Sequence, residues 1–169
     1  MAAQYKKCVK TIYEMLEDRK YSNICTLPEQ TKIMACKGDH TIHVYFAKKK
    51  GLGVHDIRKI LDNFDGGRHE NDRVILVCDG RVTYYAKQAI KEYKVQVETF
   101  QSKRLFYNVT KHVMVPPHRL LEQNEVDDVL LRYNLHLAQC PKISVEDPVA
   151  KYYGAEPGQL MEIQRSSPD

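Results

Sequence analysis

The chain has 169 residues, 43% of them apolar and 28% charged, with five cysteines, no tryptophan and a formal net charge of +4. That length holds one domain or two small ones, and the apolar content suffices for a modest core. No run of about 18 apolar residues occurs and residues 1–10 lack the apolar centre of a signal peptide, so neither a membrane span nor a secretory leader is expected.

The cysteines (Cys8, Cys25, Cys36, Cys78, Cys140) are odd in number, scattered and never paired as C-x-x-C. That is the pattern of reduced thiols in a cytosolic or nuclear compartment, which makes the sequon Asn108-Val109-Thr110 a chance match. Charge is uneven along the chain. Residues 1–105 carry 20 Lys/Arg against 13 Asp/Glu, and residues 106–169 carry 6 against 9. The asymmetry predicts two parts with different partners, and the basic part suits nucleic acid as well as an inert surface.

In chain order, Val9, Ile12, Tyr13 and Leu16 fall at helical spacing and line one face of an opening helix, which 20–23 breaks. Residues 41–46 alternate, with Ile42, Val44 and Phe46 on one side and Thr41, His43 and Tyr45 on the other, as in a half-buried strand whose His43 faces solvent. A basic loop, 48–53, precedes a second helix with Val54, Ile57, Leu61 and Phe64 as its apolar stripe. A polar turn follows at 66–71. Val74 to Cys78 is continuously apolar, as in a strand buried on both faces. Asp79-Gly80 could close a hairpin, but 84–90 repeats at helical spacing and 95–100 is strand-like again. Strand, short helix and strand in so few residues predict a βαβ unit with parallel strands.

Beyond Pro116-Pro117 the organisation changes. Residues 120–133 contain a helix with Val126, Val129, Leu130 and Tyr133 inward. Its acidic Glu122, Glu125 and Asp127 come early and Arg132 late, matching the helix dipole. Asp147-Pro148 predicts a helix cap with proline at the first position, and Gly154 a left-handed end. Pro157-Gly158 turns into a last strand, 159–165. The junction between two domains is expected near residue 105.

Motifs for chemistry are weak. Gly51-Leu52-Gly53 lacks the third glycine of a dinucleotide loop, since Asp56 occupies that position. Cys25, Cys36, His40 and His43 are not spaced as zinc ligand pairs. Cys78 sits in an apolar run where a thiol acts as a small hydrophobe, and Cys140 is a candidate nucleophile by type alone. The doublets Asp127-Asp128 and Glu146-Asp147 stand at helix starts, where capping accounts for them. No catalytic constellation, cofactor site or metal site is expected. A nuclease-like enzyme would rest on the compact α/β first half alone.

The second half carries a resemblance. Residues 112–121, beginning His112-Val113-Met114-Val115-Pro116-Pro117-His118, resemble the H-x-L-V-P-x-H opening of the assembly domain in the fifth, shared subunit of eukaryotic nuclear RNA polymerases and in its smaller archaeal homologue. Leu130 to Leu135 resembles that family's LL-x-R-Y helix end. Gln139-Cys140-Pro141-Lys142-Ile143 resembles Q-L-P-x-I, with Cys140 in place of the usual leucine. Asp147 to Gly154 is similar to D-P-V-A-R-Y-x-G, and Pro157-Gly158-Gln159 falls where the family has a glycine-led strand. The first half resembles the eukaryotic jaw domain through 17–21, 74–78 and 97–100.

The resemblance implies an α/β plus α+β chain. Residues 1–105 would form a jaw domain with a small βαβ-containing sheet, and 106–169 a small mixed-sheet assembly domain. It implies a non-catalytic polymerase subunit in the nucleus, or at a viral transcription site, that docks on the largest subunit and touches other polymerase subunits. Pro116, His118, Arg119, Asp147, Pro148, Tyr152, Gly154 and Arg165 are the expected docking residues, several of them equally explained as fold determinants. Arg81, Thr83, Tyr84, Tyr85 and Lys87 are the expected residues near downstream duplex DNA, contacting phosphate without reading sequence. Thr83-Tyr84-Tyr85-Ala86 departs here from the family's Thr-Pro-Ser-Ala, and a helix packing its aromatics on the sheet is the alternative. The family also continues past 165 through a Ser-Glu-Thr-x-Gly turn into a final strand, so strand 159–165 is expected to lack an antiparallel partner. A paralogous cofactor or bridging module that keeps only the docking domain is the alternative function.

Overall fold

The computed structural model describes residues 2–26, 32–47, 49, 51–62 and 72–165. The chain forms two compact units, Met1–Tyr107 and Asn108–Asp169.

The first unit is built on a five-stranded sheet in the order β1 (Ser22–Thr26), β2 (Lys32–Lys37), β3 (His40–Ala47), β4 (Arg73–Cys78), β5 (Gln96–Gln101). The β1–β2 and β2–β3 pairings are antiparallel; β3–β4 and β4–β5 are parallel. The expected βαβ unit is β4, α3 (Tyr84–Lys91) and β5. The central β4 has parallel neighbours on both sides, and its residues from Val74 to Cys78 are all buried. This is why that run is apolar without alternation.

The pleat gives the sheet two faces. Over one lies α1 (Ala2–Asp18), whose Ile12, Met15 and Leu16 have no exposure; the Tyr5 ring stands edge-on to Phe46 at 5.0 Å. The buried stripe of α1 includes Cys8 and Met15, while Val9 and Tyr13 sit half-buried on its flank. Against the other face pack α2 (Val54–Asp62) and α3, where Leu52, Ile57, Leu61 and Ala86 cluster with Val74, Leu76 and Cys78. Phe64 and the turn at 66–71 lie outside the described residues.

Two strands had no signal in the sequence. β1 is a polar edge strand with an irregular register between Ser22 and Cys25, and it starts inside the break that follows α1, where Lys20 and Asn23 take positive φ. β2 alternates, but its buried positions are only Ile33 and Ala35. It joins β3 through a tight turn at Gly38-Asp39, with Gly38 at φ 59, a backbone conformation that suits glycine. His43 on β3 is half-buried rather than solvent-facing, and burial lowers its pKa.

The second unit is turn-rich. Among its described residues the sheet is one antiparallel pair, β6 (His118–Leu120) with β7 (Met161–Ile163). The mixed sheet of the chain is thus the five-stranded one, because two strands carry only one pairing sense. Strand β7 does have an antiparallel partner, contrary to the expectation. It is β6, and the pairing extends through Leu121 N–H to Leu160 O (3.0 Å) and Gln164 N–H to Pro117 O (3.0 Å).

Helix α4 (Gln123–Tyr133) opens with the Glu122 N–H donating to Glu125 Oε2 (2.8 Å) and ends at Asn134 in the left-handed conformation. Val126 faces inward, Val129 and Leu130 are half-buried, and Tyr133 is 64% exposed, not inward as its spacing suggested. Asp147 Oδ1 accepts from the N–H groups of Val149 (2.8 Å) and Ala150 (3.3 Å), Pro148 opens α5 (Pro148–Tyr153), and Gly154 ends it at φ 66.

Candidate functional site

Parallel strands bring their carboxyl ends together, so the chain leaves β3, β4 and β5 at one end of the sheet. These exits carry exposed Lys49, Arg81, Lys103 and Arg104. The 49–53 segment is stitched to the β4 exit by a parallel bridge between Leu52 and Val82 and by Thr83 N–H to Leu52 O (3.2 Å). A Cβ on Gly51 would meet the Arg81 carbonyl at 3.4 Å, an ordinary van der Waals contact. Lys49 pairs with Asp56, and that hydrogen bond, with one from Gly53 N–H, holds the Asp56 carboxyl below its ordinary pKa. Lys48 and Lys50 of the expected basic loop lie outside the described residues.

Helix α3 begins at this end. Thr83 Oγ1 accepts from Ala86 N–H (3.3 Å), capping the first turn. Ala86 and Ala89 face the core, which turns Tyr84 and Tyr85 outward at 69% and 74% exposure. Their rings meet edge to face, with centroids 5.8 Å apart. The expected alternative, aromatic packing on the sheet, therefore does not occur: the alanines pack, and the tyrosines meet solvent. Tyr84 Oη accepts from Gln88 Nε2 (3.0 Å), leaving its hydroxyl hydrogen able to donate outward. Lys87 is exposed one turn further on. The structure thus brings Arg81, Thr83, Tyr84, Tyr85 and Lys87 onto one surface of cations and hydroxyl donors beside the positive end of a helix. That chemistry favours phosphate and contains no set of groups arranged to read base edges.

Neither buried thiol is arranged as a nucleophile. Burial pushes the Cys8 thiol up to about 11 and raises that of Cys78, so both are protonated at neutral pH. All five cysteines are free, and among the described residues no group of three His, Cys, Asp or Glu is placed to hold a metal ion. No helix of the described residues is long and apolar enough to cross a membrane.

The expected docking residues fall into two sets. Asp147, Pro148 and Gly154 build the ends of α5, and Tyr152 is 3% exposed with its Oη accepting from Asn108 Nδ2 (3.0 Å). These four hold the fold together. His118 and Arg119 lie on β6 and Pro116 just before it, with His118 Nδ1 2.6 Å from Pro116 O, and Arg165 is exposed beyond β7. Arg119 is engaged by Glu125 and Glu162, which raise its pKa. Apolar residues outside the expected docking set are more open, although Val113, Met114 and Leu131 lie within the family motifs: Val113 is 97% exposed, Met114 82% and Leu131 83%, with Leu137 and Val145 also exposed. The available signal was apolar side chains at the middle of a turn beside Pro116-Pro117, positions usually polar.

Residues 107–169 match the family model described as RNA polymerase Rpb5, C-terminal domain. The chain is 35% identical over 177 residues to the DNA-directed RNA polymerases I, II, and III subunit rpabc1 of Dictyostelium discoideum, covering 94% of this chain and 88% of that protein. It is 30% identical over 163 residues to the RPABC1 subunit of Caenorhabditis briggsae, covering 94% of this chain and 76% of that one. It is also similar to the polymerases IV and V subunit 5B of Arabidopsis thaliana, at 36% identity over 90 residues, 53% of this chain and 41% of that protein.

Proposed function

The chain belongs to the RNA polymerase Rpb5 family, and on that premise we propose that it is a non-catalytic, structural subunit of a multisubunit DNA-directed RNA polymerase in the nucleus. The relatives are named as polymerase subunits, which does not favour a bridging cofactor. On this reading nucleotidyl transfer belongs to other subunits, which the similarity to polymerase subunits supports.

The second unit docks on the largest subunit, and the observation that carries this is its open apolar surface. Large apolar side chains left in water on a small unit mark an interface, and Pro116, His118 and Arg119 follow Val113 and Met114 closely in sequence, with Arg165 exposed beyond β7. Asp147, Pro148, Tyr152 and Gly154 contribute by shaping α5 rather than by touch. The first unit works as a jaw beside downstream duplex DNA. Arg81, Thr83, Tyr84, Tyr85 and Lys87 face the phosphates there and bind without sequence preference.

Two measurements test this reading. Tagged chain purified from its source cells should be recovered in equal amount with the largest polymerase subunit after high-salt washing; substoichiometric recovery removes the subunit assignment. A photocrosslinker at position 84 or 87 should reach duplex DNA ahead of the active site. Crosslinks confined to the second unit would refute the jaw placement.

A further inference from the structure

We propose that the turn at residues 112–115 is a preorganised apolar knob, with Val113 and Met114 as the anchor that enters a pocket on the partner polymerase subunit. This rests on the docking reading above and specifies which residues the partner grips.

The turn closes through Val115 N–H to His112 O (2.9 Å) and is tightened by Met114 N–H to His112 Nδ1 (3.2 Å). Its two central residues are the apolar ones, 97% and 82% exposed, at positions where glycine, asparagine and aspartate normally serve. The base of the turn is held on both sides. Upstream, His112 N–H donates to Val109 O (3.2 Å), and Asn108, which accepts from Thr110 N–H (3.0 Å), is tied to the buried Tyr152. Downstream, Pro116-Pro117 fixes the backbone, and Pro117 O joins the β6–β7 pairing through Gln164 N–H. A rigid turn loses little conformational freedom on binding, so its exposed side chains act at full effect.

The polar surroundings indicate the partner's chemistry. Because His112 Nδ1 accepts from Met114 N–H, the neutral ring carries its hydrogen on Nε2 and donates outward. Exposed Lys111 precedes it. The matching pocket is therefore concave and apolar inside, with carboxylate or carbonyl acceptors on its rim. The knob is continuous in sequence with Pro116 and His118, so one interface takes in both.

The test uses the full chain, tagged, in its source cells and also purified alone. Met114→Asp should lower recovery with the largest subunit by about tenfold or more, as for a buried interface anchor, and Met114→Leu should retain it. Both variants should unfold alone at the wild-type midpoint, since the side chain contacts solvent. Wild-type recovery of Met114→Asp overturns the proposal while leaving the docking reading intact. A lowered midpoint for Met114→Asp alone also overturns it, by placing Met114 in the chain's own packing. Self-association of the purified chain that Met114→Asp abolishes would assign the knob to a second copy and equally overturn it. Failure to recover wild-type chain would instead strike the docking reading itself.

Discussion

Replacing Arg19 by methionine should destabilise the first unit by about 3 kcal/mol, toward the lower end of the cost of breaking a buried ion pair. Arg19 is 7% exposed, just past the end of α1, and its guanidinium donates to both Glu98 carboxylate oxygens at 2.9 and 2.8 Å. The fork-to-carboxylate geometry is the strong form of such a pair, and it clamps the helix end to β5. Methionine keeps the apolar stem but leaves the Glu98 carboxylate uncompensated. With that side chain 19% exposed, water recovers part of the loss. Glu98→Leu takes the carboxylate away from a guanidinium whose side chain is only 4% exposed, so it should likewise cost about 3 kcal/mol. The double variant removes both charges and should return to within about 1 kcal/mol of wild type. Urea unfolding read through hydrogen exchange of the β4 amides reports this unit separately. At a slope of about 2 kcal/mol per molar urea, Arg19→Met should lower the midpoint by about 1.5 M. A single-variant cost below about 1 kcal/mol, or additive losses in the double variant, would mean the pair behaves as a screened surface bridge and would refute the reasoning.

On the assembled polymerase, Arg81→Ala and Lys87→Ala should each reduce the slope of log affinity for duplex DNA against log salt by about 0.9; slopes unchanged by both would remove this surface from the DNA path. Asp147→Ala should speed exchange of the α5 amides by the equivalent of about 1 kcal/mol, with Asp147→Asn close to wild type, because either side chain caps the helix. Gly154→Ala should cost a similar amount, about 1 kcal/mol, because φ 66 suits glycine; unaltered exchange would deny these residues their structural role. At neutral pH iodoacetamide should label exposed Cys25 and spare buried Cys8 and Cys78. The fold favours the neutral Cys8 thiol, so its contribution to stability is complete below pH 9.0 and is lost as pH rises toward about 11. Cys8→Ala should flatten that decline, and an equal decline in the variant would exclude Cys8 as its source.

Much of the chain was legible wherever the determining physics is local. The apolar run 74–78 announced a strand covered on both faces, the spacing of 84–90 a helix, and Asp147-Pro148 with Gly154 both ends of another. Periodicity and capping act within one or two turns, so they are written in adjacent residues. The motifs from 112 to 158 also carried the family resemblance, which similarity to known polymerase subunits then established. Burial and pairing were decided only in three dimensions, because they depend on partners distant in sequence. β1 and β2 exist through the register that β3 supplies, and β7 finds β6 about forty residues away. Tyr133 shares the spacing of buried Val126 yet is 64% exposed, because helical spacing sets a residue's side of the helix and tertiary neighbours decide whether it is covered. The same holds for function. Arg81, Tyr84 and Lys87 could be named from the sequence, but their joining Lys49 and Lys103 at one end of the sheet follows from parallel strands. Among the expected docking residues, only the tertiary structure showed that Asp147, Tyr152 and Gly154 hold the fold, and only it showed Val113 and Met114, outside that set, to be exposed.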